Sequence, residues 1–310
     1  MKVLFVRSGN NGIDPISTNQ GESLKQAGVE VEYFDLIGQG LIGYLNNITV
    51  LRSQILEINP DIIHAHYSLC GYISVLTFVK KPIICSLMGS DVVYGGRFAN
   101  FILNLFISRF WSETIVKSNN LLNRFSQKRI HVIPNGVNLF RFKQEDQIES
   151  KKLLGWNLEK KYILFASNPS RPEKNYCLAL DILARIKENK VDTIMIPLMN
   201  IESSIIQTYY NAADFLLLTS LSEGSPNVIK EAMACNCPIV ATDVGDVKDI
   251  VKDTRDCLVS NFDLNEMVDA SIKILSKSTR SNGRTKIEQL DDKIIANKLI
   301  TIYTEAVRKV

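Results

Sequence analysis

Two carboxylates eight positions apart, Glu223 and Glu231, flank the segment EGSPNVIKE, which follows an apolar run. An ionised carboxylate only accepts hydrogen bonds, and two vicinal hydroxyls supply two donors, so such a pair suits a ribose or a hexose. Pro226 predicts a helix start, because proline lacks the N–H that the first helical turn leaves unused. Backbone N–H groups at that start favour an anion or a hydroxyl-rich group, and Gly224 lets the chain pass close to it. Taken alone, either glutamate reads better as an ordinary solvated side chain. Two histidines in HAHYSLCGY, His64 and His66, share one face of a strand, which raises metal binding as an alternative. One further histidine (His131) and no evident carboxylate partner make a polar contact or a hydrogen-bonded structural role the better readings of His66. The six cysteines form no CxxC pair, so neither a zinc site nor a disulfide framework is expected.

The elements that position these groups follow from the alternation of the chain. Its 310 residues suggest two domains at about 100–200 residues each. With 45% hydrophobic and 22% charged residues, it is neither disordered, fibrous nor a polytopic membrane protein. No apolar run approaches the ~18 residues of a membrane span, and MKVLFV lacks the marks of a signal peptide, so a reduced, cytoplasmic protein is expected. A net charge of +3 does not argue for nucleic acid. β-Branched runs predict strands at 3–6, 29–34, 61–65, 82–87, 113–117 and 130–134, with helical patterns between them. After PNGV and a polar stretch to about residue 150 the pattern restarts, with strands at 162–166, 193–197, 215–219, 238–242 and 257–260. Helical patterns cover 18–26, 175–187, 228–234 and 292–307, the last with Ile294, Ile295, Leu299, Ile302, Tyr303 and Ala306 on one face. This is an α/β protein of two doubly wound, Rossmann-like domains facing a cleft. The expected divisions are 1–140, 141–290 and a C-terminal helix, 291–310, crossing back onto the first domain. Such sheets bind ligands at the carboxyl ends of their strands, near a topological switch point.

The run EGSPNVIKEAMACNCPIVATDVGDVKDIV resembles the signature of family 4 of the retaining glycosyltransferases (glycosyl transferases group 1), which have the GT-B fold. The resemblance implies transfer of a sugar from a nucleotide-diphosphate sugar, with Glu231 on the ribose and Glu223 on the sugar hydroxyls. Gly224, Ser225, Pro226 and Asn227 would line the sugar and phosphate. Relatives carry glycine where this chain has Asn236 and Asp246. A second match, SNPSRPEKN (167–175), places Arg171 and Lys174 where relatives hold the diphosphate, although many space the two cations by five positions rather than three. Fixed cations would stabilise the charge that grows on the leaving group. The first half matches more loosely. PNGVNLFRF is the family's interdomain marker with Asn138 in place of aspartate, and SGNNG places Gly9 and Gly12 in the loop that approaches the phosphates. HAHYSLCGY resembles the acceptor-side loop, with His66 contacting donor or acceptor sugar beside Tyr67. In MGSDV, Met88 replaces the usual histidine, while Asp91 remains to orient backbone or an acceptor hydroxyl. Catalysis would rest on Glu223, Lys174, Arg171 and His66, with no metal and no cofactor, because the two cations replace one. The chain is short between 190 and 211, a region that normally borders the base pocket.

The acceptor implied is a saccharide or a lipid-linked saccharide in cell-surface polysaccharide or glycan biosynthesis. Within 97–131 there are six basic residues against one acid, Glu113, and RFANFILNLFISRFW (97–111) is strongly apolar. Two readings stand: a helix in an anionic membrane interface at the inner face of the membrane, or a crossover helix buried on the first sheet. Rival functions are a GT-B nucleotide-sugar epimerase and a non-catalytic partner subunit. A dehydrogenase is disfavoured because no GxGxxG opens either domain.

Overall fold

A computed structural model describes the chain except residues 11, 13, 94, 95, 127, 128 and 310 and the side chains of 41, 90 and 93. Asn11 of SGNNG and Lys128 of the basic stretch therefore lie outside the described residues. The chain divides into two compact units, Met1–Gly136 with Asp292–Val310, and Val137–Asp291.

The first unit is built on β1 (Lys2–Ser8), β2 (Glu30–Leu36), β3 (Ile62–His66), β4 (Ile83–Ser86), β5 (Glu113–Val116) and β6 (Ile130–Val132). These form one parallel sheet in the order β2-β1-β3-β4-β5-β6, so the winding reverses between β1 and β3. β3, β4 and β5 are buried at every position, as strands covered on both faces must be. One face carries Val3, Phe5, Ile62, Ile84 and Ile115 against the helix Asp292–Arg308. That helix buries Ile295, Ala296, Leu299, Ile302, Tyr303 and Ala306, whereas Ile294 is exposed. Adjacent helical positions point about 100° apart, so Ile294 and Ile295 do not both face one core, and the small Ala296 takes the inner place. The other face packs Leu4, Val6, Ile63 and Cys85 with Trp111 and the helices Ser68–Leu76 and Arg97–Arg109. Asp14 caps the helix Pro15–Gln26 by accepting from the N–H groups of Ile16 and Ser17.

The second unit contains β7 (Lys161–Phe165), β8 (Thr193–Pro197), β9 (Phe215–Leu218), β10 (Ile239–Thr242) and β11 (Cys257–Ser260), all parallel, in the order β11-β10-β9-β7-β8. Its winding reverses between β7 and β9. The segments leaving these two strands therefore emerge side by side, and they carry Arg171, Lys174, Glu223 and Ser225.

Candidate functional site

In the second unit the chain leaves β7 through a loop and a single 3-10 turn, Pro172–Lys174, before the helix Tyr176–Glu188. Asn175 joins them in the left-handed conformation (φ 51°), and the Thr219 hydroxyl, just past β9, ties the carbonyls of Lys174 and Asn175 at 2.9 and 3.0 Å. Leu221 N–H adds a bond to the Glu173 carbonyl. These cross-links place the Lys174 ammonium 2.5 Å from Glu223 Oε1, which also accepts from the Ser220 hydroxyl at 2.7 Å. Both ionic side chains are about one-eighth exposed, at 12% and 14%. Glu223 Oε2 takes no hydrogen bond from a described residue. Arg171 is not drawn into this group: it is exposed and paired with Glu173 at 2.6 Å.

Glu231 lies about one turn along the helix Asn227–Ala234, whose N-cap is Pro226. Its Oε2 accepts from the buried Tyr210 hydroxyl at 2.7 Å. Burial pushes the Glu231 carboxyl up from the ordinary glutamate range, while the Tyr210 bond and the charges of Arg141 and Lys230 pull it back. The adjoining Lys230 is fully buried and donates to Ser225 Oγ at 2.7 Å. Gly245, with φ +60°, packs so closely that a Cβ would lie 2.6 Å from the Gly224 carbonyl oxygen and 2.9 Å from that of Glu223. This close approach, backbone to backbone, requires glycine at 245. Asn236 adopts φ 51°, a left-handed conformation that asparagine tolerates, and Asn138 Oδ1 caps the following turn through Arg141 N–H at 2.8 Å.

The first unit collects its candidates at the ends of β1, β3 and β4. Gly12 is exposed in the loop after β1 with φ 78°. His64 is a hydrogen-bonded structural residue: Nδ1 lies 2.6 Å from Tyr303 OH and Nε2 2.9 Å from Ser86 Oγ. Burial, with some repulsion from Lys117, lowers it to about 3, so the ring is neutral. His66 stacks on His64 and packs on Phe5, is 4% exposed, and neither ring nitrogen has a hydrogen-bond partner among the described residues. Burial first, then His64, Lys117 and Arg7, hold its pKa well below the usual histidine value. Tyr67, the next residue, has φ 90° and ψ 144°, a region close to glycine's own, and marks the end of β3 as strained. Asp91 accepts from three backbone N–H groups, Ser68 at 3.0 Å, Met88 at 3.0 Å and Gly89 at 2.9 Å, and so ties the segments after β3 and β4 together. Its role in orienting backbone is thus visible, and burial raises its pKa to about 6 against the pull of those bonds.

Within the second unit the structure therefore joins Lys174 to Glu223, and it sets Ser225 on a network of Lys230 and Asp246 that sequence reading missed. Lys230 had no distinguishing signal in NVIKEAMA. Asp246 had one, as a charged residue standing where relatives carry glycine.

Two parallel, doubly wound units with polar side chains gathered at their switch points define a protein of GT-B type. Residues 14–141 match the family described as Glycosyltransferase Family 4, and residues 193–277 match Glycosyl transferases group 1. Both parts of the chain are thus similar to glycosyltransferase families. A relative from Bacillus subtilis (strain 168), named as a teichuronic acid biosynthesis glycosyltransferase, TuaC, is 25% identical over 218 residues, covering 63% of this chain and 56% of its own length. The match thus spans little more than half of that relative. Among solved structures, sucrose-phosphate synthase from Thermosynechococcus elongatus superposes with a TM-score of 0.79 at 16% identity, over 100% of both chains. HepE from Anabaena, solved with UDP and glucose, gives 0.76 at 17% identity, over 98% of this chain and 100% of that one.

Proposed function

We propose that this protein moves a sugar, with retention of anomeric configuration, from a nucleoside-diphosphate sugar to a hydroxyl of a saccharide or lipid-linked saccharide in cell-surface glycan assembly. The observation that carries this reading is the Lys174–Glu223 pair at the switch point of the second sheet, with Glu223 Oε2 left available. In this reading Oε2 accepts a hydroxyl of the donor sugar, and Glu231, on Tyr210, accepts from the ribose. An ammonium has three donors and Glu223 uses one, so Lys174 keeps two for phosphate oxygens. Arg171 exchanges its exposed Glu173 partner for the diphosphate, since such a surface pair is worth under about 1 kcal/mol. As the bond from the anomeric carbon to phosphate oxygen breaks, the acceptor oxygen bonds that carbon from the same face, and its proton passes to the departing phosphate. The cations are then protein side chains rather than a metal ion. The names of TuaC and of HepE with its bound UDP and glucose support this class of donor and product.

Calorimetric titration with UDP, GDP and their sugars, followed by a hydrolysis assay without acceptor, tests the reading. Saturable binding of one nucleotide and slow release of sugar with its anomeric configuration kept are expected. An altered but unhydrolysed donor would favour the epimerase, and no binding at all would favour the non-catalytic subunit.

For the acceptor we infer a membrane-borne lipid-linked saccharide. The helix Arg97–Arg109 buries Leu103 and Ile107 but exposes Phe98 (79%), Phe101 (65%) and Leu105 along one stripe, with Arg97 and Arg109 at its ends. Among the described residues no helix is long and apolar enough to cross a membrane. A helix of this character lies in an anionic interface instead. Flotation with phosphatidylglycerol liposomes should show salt-sensitive binding that Phe98→Ser/Phe101→Ser abolishes; absence of binding at low salt removes this part of the reading.

A further inference from the structure

The donor-side turn rests on a buried polar cluster that the transfer chemistry leaves unused. Lys230 is fully buried, an unusual place for an ammonium, and its Nζ donates to Ser225 Oγ at 2.7 Å. The buried carboxylate of Asp246 lies beside this pair, where Lys230 and Ser225 favour its charged form, although its Oδ1 takes no hydrogen bond from a described residue. The Ser225 side chain is thus held by Lys230, and the turn meets a ligand with its backbone. The segment bearing Asp246 also presses on the same turn, since Gly245 lies against the carbonyls of Gly224 and Glu223. The two charges sustain each other. Burial alone drives Lys230 towards the neutral amine, and Asp246 and Glu231 oppose that drift. Burial likewise drives Asp246 towards the neutral acid, and Lys230 and Ser225 oppose it.

We propose that Lys230 and Asp246 are positioning residues that set, through Ser225, the backbone of the 223–226 turn for the diphosphate and sugar of the donor, without contributing to the nucleoside. This rests on the donor reading above. The nucleoside end falls to Glu231, whose carboxylate is hydrogen-bonded by Tyr210 and feels Lys230 only through its charge. The diphosphate-sugar end falls to the turn, which hangs on Ser225 and Gly245.

The test compares Kd values for a nucleoside and for its diphosphate sugar, using the base that the wild type selects, in the double variant Lys230→Met/Asp246→Gly. Removing both charges together leaves no lone buried ion, so its melting temperature should stay near that of the wild type. Nucleoside affinity should stay within about twofold, and diphosphate-sugar affinity should fall at least tenfold, about 1.4 kcal/mol. A double variant that binds the diphosphate sugar like the wild type shows the pair to be merely structural and overturns the proposal. Parallel loss of nucleoside and diphosphate sugar overturns it as well. If the double variant does not fold, Ser225→Ala, which removes only the linking hydroxyl, must show the same split or the proposal fails. Failure of the wild type to bind any nucleoside-diphosphate sugar would instead overturn the donor reading and this proposal with it.

Discussion

The polar groups at the two switch points differ in how far the protein itself satisfies them. In the second unit, Lys174 and Ser220 both donate to Glu223, Tyr210 holds Glu231, and Lys230 holds Ser225. In the first unit, His66 is as deeply buried but bonds nothing among the described residues, and it adjoins the strained Tyr67. A buried polar atom without a partner costs about 1–3 kcal/mol. His66 leaves both ring nitrogens so, whereas in the second unit Lys174, Glu223, Glu231 and Lys230 are all bonded and Asp246 Oδ1 is the unpartnered atom of their cluster. A preorganised cluster suits a ligand whose charge must be stabilised in one geometry. An unsatisfied ring at a strained strand end suits a site completed by the molecule that enters it. On the proposed reading this divides donor from acceptor.

The sharpest way to break the comparison is to dismantle the preorganised side. Glu223→Ala and Lys174→Ala should each lower transfer by about 10²–10³, the scale seen for groups that stabilise transition-state charge, with unchanged circular dichroism. Because the two side chains touch, the double variant should lose far less than the product of the single losses. Near-normal transfer by either single variant would sink the assignment of these residues.

A smaller effect is expected in the first unit from Asp91→Asn, which reads stability rather than rate. An amide oxygen accepts more weakly than a carboxylate from the three N–H groups of Ser68, Met88 and Gly89, and hydrogen bonds to charged groups are worth about 1.5–3 kcal/mol. The pH dependence separates this from a packing defect. The Asp91 pKa is raised from 3.8 to about 6 in the fold, so the folded state holds this proton more tightly than the unfolded chain. The stability so contributed is complete below pH 3.8 and lost as pH rises through about 6. Chemical denaturation at pH 4 and pH 7 should show a drop in the wild type that the asparagine variant lacks; equal drops in both would assign the slope to other groups.

Much of the frame was legible because parallel strands covered on both faces must be written as β-branched and apolar runs. Runs such as IIHAH and FLLL have little other use. The EGSPNVIKE turn was legible because proline, glycine and paired glutamates carry separate meanings that agree. What stayed hidden depends on distance along the chain. Lys174 and Glu223 are 49 residues apart, and only the reversal of winding between β7 and β9 makes them neighbours. Lys230 reads as a surface lysine until Asp246 comes beside it. Ile294 failed for a local reason, since two adjacent isoleucines compete for one inward position and sequence alone does not rank them. The strain at Tyr67 has no signature, because tyrosine is a residue that would not be chosen for φ 90°.

The finest test of the comparison is His66→Phe. Phenylalanine keeps an aromatic ring, slightly larger, to pack on Phe5 and His64 and removes the two nitrogens. If those nitrogens serve the protein, their loss costs stability. If they await a ligand, the variant should melt at the wild-type temperature or slightly above it, because two unsatisfied atoms have left the interior. Donor hydrolysis without acceptor should then stay within about twofold, while the acceptor KM rises about tenfold, the loss of roughly one hydrogen bond at 1.4 kcal/mol. Unchanged acceptor KM with reduced hydrolysis would move His66 to the donor sugar. A lower melting temperature with unchanged kinetics would erase the contrast between the units, making His66 as settled a residue as His64 beside it.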